Sequence, residues 1–470
     1  MRMTKIVATL GPATDSPSMV KRLIKAGMNV ARMNLSHGTF DDHIKRINLV
    51  KEAREELGIP VAIMLDTRGP EVRIDKFKKS PVYLNEGDEF TLTTDEIPGD
   101  EKRVSITYKP LVNFVKPGVT ILANDGLIEF EVVSVTKKDI ICKVNAGGEL
   151  SDRKSLNLPE VKIDMPYISK FDREGFLFGI EQNVDYFALS FVRDTSDVLE
   201  VRDLLDKNGG ETIQLISKIE NREGVDNFKK IIKICDGAMV ARGDLGVEIP
   251  FEEIPKIQKD MIKICVGEGK KVITATQMLE SMIHSKRPTR AEISDVANAI
   301  YDGTSAIMLS GETAAGKYPI ESVKTMDKIA KHTEQNIDYK KVFSVSDPVI
   351  NNIADAVSHA TVMSSFDLNA SAIIGVSRSG ATVRKISRFR PNCPIIGVTT
   401  SKAAYYQLAI SWGVVPMLTE FQTCSDALFE KAMKAGLDSG LCKKGSLVII
   451  SAGIPIADKG TTNVMRIENL

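Results

Sequence analysis

Lys218 and Glu220 stand two residues apart at the end of the apolar run 213–220, and on a strand that spacing turns both side chains to one face. The carboxylate offers hard oxygens to a metal ion, and the ammonium is a point charge for an anion that develops during reaction. Asp244, in the turn Gly243-Asp244-Leu245-Gly246, is a second such carboxylate. Two carboxylates supply too few oxygens to cage calcium, but with waters and substrate oxygens they suit Mg²⁺. Each also has a plainer reading: a Lys-x-Glu at a strand end is a common surface ion pair, and Asp244 is a common turn or cap residue. Company changes the balance. Other apolar runs end in polar residues too: Arg32, Asn34 and Ser36; Asp66, Thr67 and Arg68; Arg242; Thr276 and Gln277; Ser310 and Glu312.

Eight such runs recur, at 5–10, 29–35, 61–67, 184–191, 213–220, 238–243, 272–276 and 306–310. Helix-like stretches alternate with them, at 15–26, 41–57, 195–206, 250–268, 289–301 and 320–332. Eight strand–helix units predict an α/β chain closed into a (β/α)₈ barrel, whose site lies at the C-terminal ends of the strands, where these polar residues fall. One connection, from Thr67 to Val184, is far longer than a crossover and reads mostly as β. Taking residues 70–166 as an inserted all-β lid leaves 1–69 and 167–340, about 243 residues, near the ~250 typical of such a barrel. From 341 to 470 strand-like and helix-like stretches alternate again, which predicts an open C-terminal α/β domain. Arg73, past the entry to the insertion, and Lys154, near its exit, are placed to swing over the barrel mouth onto a phosphate chain; solvated surface cations are their plainer reading.

The 470 residues hold 62 Lys+Arg against 62 Asp+Glu, a balance that argues against nucleic acid or an anionic membrane as partner. No run approaches the ~18 apolar residues of a membrane span, and the N-terminus lacks the apolar stretch of a signal peptide. The 6 cysteines form no CxxC pair and the 5 histidines no metal-ligand spacing, so the expectation is a reducing cytoplasm and a metal held by oxygens. Gly311-Glu312-Thr313-Ala314-Ala315-Gly316-Lys317-Tyr318 has the outline of a P-loop. It puts Tyr318 where Ser or Thr is needed and a carboxylate where phosphate would lie, so it is set aside.

In order along the chain come Thr4-Lys5-Ile6-Val7, Met28-Asn29-Val30-Ala31-Arg32, Ser36-His37-Gly38 and Leu65-Asp66-Thr67-Arg68-Gly69-Pro70. They are followed by Ile216-Ser217-Lys218-Ile219-Glu220-Asn221, Ala241-Arg242-Gly243-Asp244-Leu245-Gly246, Thr274-Ala275-Thr276-Gln277-Met278 and Leu309-Ser310-Gly311-Glu312-Thr313. This series closely resembles the pyruvate kinase family across all three regions; no extra C-terminal domain, as some bacterial members carry, is expected after Leu470. The resemblance implies phosphoryl transfer from phosphoenolpyruvate to ADP. It implies Mg²⁺ on Glu220 and Asp244, Arg32 on the phosphate, and Lys218 stabilising the transferring charge. Gly243 and Asp244 would meet the substrate carboxylate, and Thr276 would lie near the carbon that is protonated, with Ser310 and a water relay as other sources of that proton.

It further implies K⁺ on Asn34, Ser36, Asp66 and Thr67, and a nucleotide at Asn34, His37, Arg73 and Lys154. Glu71 is the residue type of K⁺-requiring members, where others carry a lysine whose ammonium replaces the cation. A phosphorylated allosteric effector would bind Ser377, Arg378, Ser379, Gly380 and Thr382, with Arg384 nearby and 453–462 as a second loop; an ordinary β-to-α turn is the plainer reading. A homotetramer is carried over from the family. Two other functions stay in view: a barrel lyase acting on pyruvate or its enolate, which leaves the insertion and K⁺ ligands without purpose, and a dead sugar-phosphate sensor, which would have lost Lys218, Glu220 or Asp244.

Overall fold

A computed structural model describes residues 1–159, 161–345, 349–456 and 462–470. Eight parallel strands close a barrel in sequential order: β1 (Lys5–Thr9), β2 (Val30–Asn34), β3 (Ala62–Asp66), β4 (Tyr186–Leu189), β5 (Gln214–Ile219), β6 (Gly237–Ala241), β7 (Lys271–Ala275) and β8 (Ala306–Leu309). Each strand is apolar on both faces because both are covered. Val7, Val30, Met64, Tyr186, Ile216, Met239 and Ile273 fill the interior. Their neighbours Ile6, Ala31, Leu65, Phe187, Leu215, Val240 and Val272 pack outward against the helices. Two helices that the sequence pattern did not single out, Lys170–Glu181 and Arg222–Ile234, complete the helical ring.

Between β3 and β4 the chain leaves the barrel to form a seven-stranded sheet, with a two-stranded ribbon beside it. Phe90 and Phe130 stack at 5.5 Å in a hydrophobic cluster distinct from that of the barrel. Gly69 lets the chain turn out: its φ is +76°, and a Cβ there would lie 2.8 Å from the Ser190 carbonyl oxygen.

The C-terminal region forms a five-stranded sheet in the order β11-β10-β9-β12-β13: β9 (Ala372–Val376), β10 (Ile395–Thr399), β11 (Val414–Leu418), β12 (Leu447–Ala452) and β13 (Val464–Asn469). β13 runs antiparallel to β12. The sequence pattern did not single out the β11 strand, the β13 strand or the helix Ser425–Asp438; no residue of β13 is buried, so its apolar signal is weak. This region closes the barrel floor. Ala409 and Ile410 join the interior cluster, Tyr186 Oη donates to the Gln407 carbonyl at 2.6 Å, and Lys5 Nζ donates to the Val414 carbonyl at 2.6 Å. Among the described residues no helix is long and apolar enough to cross a membrane. Ile410 is fully buried at this junction. Ile410→Ala should therefore cost on the order of 2–5 kcal/mol and lower the thermal midpoint, read by circular dichroism; an unchanged midpoint would show that the floor does not depend on it.

Candidate active site at the barrel mouth

The period of two that fills the barrel also carries the polar residues to its mouth. Val30, Arg32 and Asn34 share the inward face of β2; Ala62, Met64 and Asp66 share that of β3; Ile216, Lys218 and Glu220 continue that of β5. Parallel pairing sets Asn34 beside Asp66. Asp66, 1% exposed, accepts from Arg32 Nε at 2.7 Å and from Lys218 Nζ at 3.0 Å. Burial opposes its charge, but the two cations outweigh it and hold the carboxyl below its ordinary range. Burial likewise opposes the Lys218 charge, and Asp66, Glu220 and Asp244 together drive its pKa up.

Ser190 completes this cluster. Its hydroxyl accepts from Lys218 Nζ at 2.6 Å and donates to the Thr67 carbonyl at 2.7 Å. Sequence reasoning missed it, although parity was signal enough: Tyr186 and Ala188 face inward on β4, and the next inward position is 190.

Glu220 is fully buried, and its Oε2 accepts from the Phe191 amide at 2.7 Å. Its Oε1 lies 2.8 Å from Lys218 Nζ as an ion pair but takes no hydrogen bond. Burial, with Asp244 and Asp66 adding to it against Lys218, pushes the carboxyl up to about 8. Asp244 lies in the first turn of the helix Arg242–Glu248, and both carboxylates line the same cavity. Among the described residues no group of three or more His, Cys, Asp or Glu forms a complete metal cage. Two hard carboxylates, one with a buried oxygen free of hydrogen bonds, fit an ion that takes its remaining ligands from water and substrate.

The cavity is about 440 Å³. Arg32, Asn34, Ser36, His37, Thr67, Arg73, Lys154 and Lys218 all line it. His37 is pushed down by burial and then by Arg73, Arg32, Arg68 and Lys154, so four cations converge on one space. Glu71 holds the Arg73 guanidinium at 2.9 and 3.1 Å. Across the mouth, Asn157 of the inserted region donates to Glu248 Oε1 at 2.8 Å, and Lys162 pairs with Glu223 at 3.2 Å.

Thr276 and Gly243 lie beside the cavity rather than on its wall. The Gly243 amide donates to Thr276 Oγ1 at 2.7 Å, and that hydroxyl donates to the Ala275 carbonyl at 2.6 Å. In this structure the amide expected to meet a substrate carboxylate is thus engaged internally. Thr276 has φ +65° and Gln277 φ +53°, uncommon for residues with a Cβ. Arg242, paired with Asp295 at 2.7 Å, donates to the Thr276 carbonyl at 2.6 Å and pins this bend.

The P-loop outline dissolves. Glu312 is buried, its oxygens accepting from the Leu279 and Ser310 amides at 3.1 and 2.7 Å, which leaves no room for phosphate. Far from the mouth, Ser377, Arg378, Ser379 and Gly380 form the turn between β9 and the helix Ala381–Ser387. Arg378 and Ser379 are exposed, while Thr382 is buried with its hydroxyl 2.7 Å from that of Thr462. Arg384, expected as a spare cation for this turn, instead donates from Nη1 to the Ser379 carbonyl at 2.9 Å; its pKa is lowered by burial. Residues 457–461 of the second expected effector loop lie outside the described residues, as does Glu160 of the inserted region's return connection.

A parallel (β/α)₈ barrel with buried, carboxylate-held cations around one polar cavity defines a barrel enzyme built for an anionic substrate. The family model described as pyruvate kinase, barrel domain, matches residues 1–323, and that described as pyruvate kinase, alpha/beta domain, matches residues 355–468. The chain is 48% identical to the pyruvate kinase of Staphylococcus saprophyticus over 475 aligned residues, covering 100% of this chain and 80% of that protein. It is 45% identical to the pyruvate kinase of Clostridium perfringens over 474, covering 100% of both. To that of Bacillus licheniformis it is 46% identical over 470, covering 99% of this chain and 80% of the relative. The chain belongs to the pyruvate kinase family and is a phosphotransferase.

The Lys218–Ser190 bond yields a prediction. Ser190→Ala removes one charge-assisted hydrogen bond, worth about 1.5–3 kcal/mol, and should lower turnover roughly 10–100-fold with far-ultraviolet circular dichroism unchanged. Wild-type turnover in the variant would show that Asp66 and Glu220 position Lys218 without it.

Proposed function

We propose that the protein transfers the phosphoryl group of phosphoenolpyruvate to ADP, giving pyruvate and ATP as the last step of glycolysis in the cytoplasm. The observation that carries this reading is Lys218 Nζ, held among Asp66, Ser190 and Glu220 on the wall of the cationic cavity. Phosphoryl transfer demands in-line positioning and charge neutralisation more than covalent help. Arg32, its Nε fixed by Asp66 and its Nη1 by Thr9, presents the rest of its guanidinium to the phosphate. Lys218 stabilises the charge on the transferring group and on the enolate left behind. Glu220 and Asp244 would hold Mg²⁺, which would supply positive charge to neutralise the anionic substrate during transfer. Thr276 acts by holding the Gly243 turn beside the site.

Asn34, Ser36, Asp66 and Thr67 offer oxygens for K⁺, and His37, Arg73 and Lys154 face the nucleotide; the inserted region serves as a lid whose closure excludes water. Ser377, Arg378, Ser379, Gly380 and Thr382 would hold a phosphorylated effector in a homotetramer. A titration at low phosphoenolpyruvate reads that effector out, and its reading fails if no sugar or nucleotide phosphate shifts half-saturation.

Lys218→Met should lower kcat by about 10²–10³-fold while changing KM for phosphoenolpyruvate much less, because its charge matters most in the transition state. Glu220→Gln and Asp244→Asn should each lower activity by orders of magnitude with the fold intact. Near-normal turnover of Lys218→Met at saturating substrates sinks the reading.

K⁺ gives a separate test. Glu71 adds negative charge beside Arg73 and supplies no ammonium to replace a cation. Turnover in a coupled assay should rise with K⁺ and stay low when Na⁺ replaces it at equal ionic strength. Full activity in K⁺-free buffer would refute the K⁺ site.

A further inference from the structure

Opposite the catalytic mouth, where the C-terminal sheet region meets the barrel floor, lies a second cleft with a cavity of about 20 Å³. That is room for one water-sized occupant, with the outer side open. Lys270 and Lys271 reach it from the barrel, and Arg384, Arg388, Arg390 and Ser411 from the C-terminal region. Five basic side chains thus line the space, and no carboxylate does.

The partners of these cations sharpen the point. Lys270 Nζ donates to the Cys235 carbonyl at 2.5 Å, and Lys271 Nζ to Gln214 Oε1 at 2.6 Å. Arg390 Nη2 donates to the Gly303 carbonyl at 2.8 Å, and Arg384 to the Ser379 carbonyl. All of these acceptors are neutral. Within ion-pair distance only Arg388 has a carboxylate, Asp355 at 3.6 Å, and Lys385 holds that same oxygen at 2.5 Å; at longer range Asp236 acts on Lys271 and Arg384, and Glu334 on Arg390. Two buried groups on the cleft wall have no partner at all: Arg390 Nε, on a residue 8% exposed, and Ser411 Oγ, on a residue 3% exposed. Burial, and then the Arg384 charge, push Lys271 down to about 7 against the opposing pull of Asp236.

We propose that this cleft is a small-anion site, in which a halide ion or one inserted oxygen of inorganic phosphate takes the Arg390 Nε–H and Ser411 hydroxyl bonds and ties the C-terminal region to the barrel floor. A water molecule would satisfy the two orphaned donors but leave the excess of basic groups over carboxylates unbalanced; an anion does both. Because the ligating groups come from both regions, occupancy favours the docked arrangement, and binding raises stability by mass action.

The test uses the full chain at fixed ionic strength, with bromide or inorganic phosphate replacing a bulky organic sulfonate. The thermal midpoint should rise saturably with at least one of the two, and which one separates the halide from the oxyanion. Crystals soaked in bromide should show an anomalous peak within about 3.5 Å of Arg390 Nε and Ser411 Oγ if the halide is the occupant. Ser411→Val, which fills the cavity, should abolish both signals. Lys270→Gln, at the half-exposed rim, should raise the half-saturating concentration at least about threefold through loss of one charge, and it carries the test if Ser411→Val does not fold. No ion-specific rise, a rise unchanged in these variants, or density for water alone overturns the proposal.

Discussion

A carboxylate with almost no access to water holds the catalytic end of this barrel together. Asp66 sits between Arg32 and Lys218, and each of the three would be costly to bury alone. Their side chains come from β2, β3 and β5, and Ser190, one position beyond β4, closes the ring. Four consecutive strands are thereby locked at one height, because slipping one of them would leave a buried charge unpaired. Removing one partner of such a pair typically costs 3–5 kcal/mol, so the cluster constrains the barrel as much as it serves the site.

Lysines at the two ends of the barrel show how surroundings decide what a buried ammonium does. At the mouth, Lys218 has Asp66 and Glu220 within ion-pair distance, and its charged form is favoured strongly. At the floor, Lys5 and Lys271 are equally buried but held by a carbonyl and an amide oxygen, and burial pushes both down to about 7. The first arrangement keeps a permanent charge facing the substrate cavity. The second makes the charged form costly, in the seam where two regions of the chain meet.

Backbone strain collects at the strand ends that build the mouth. Phe191, Thr276 and Gln277 all have positive φ. Two of them are tied down: the Phe191 amide by Glu220, and the Thr276 carbonyl by Arg242, itself paired with Asp295. Conformations that cost ~1–3 kcal/mol persist where surrounding bonds over-determine them.

Much of this was legible in the sequence because period and position are local properties. Eight apolar runs ending in polar residues put Arg32, Asp66, Lys218, Glu220 and Asp244 at one end of one barrel, and the family model over residues 1–323 accords with that fold. The long β-rich interval after Thr67 likewise marked a region outside the barrel, since burial on alternate positions is written in the residue order. Partners distant in sequence were not legible. That Ser190 accepts a hydrogen bond from Lys218, that Thr276 accepts one from the Gly243 amide, and that Arg384 turns back to Ser379 depend on strands meeting at particular heights, which no spacing along the chain specifies. The closing of the barrel floor by Ala409 and Ile410 was decided the same way: two residues more than two hundred positions from Tyr186 became its neighbours only when the tertiary fold buried them together.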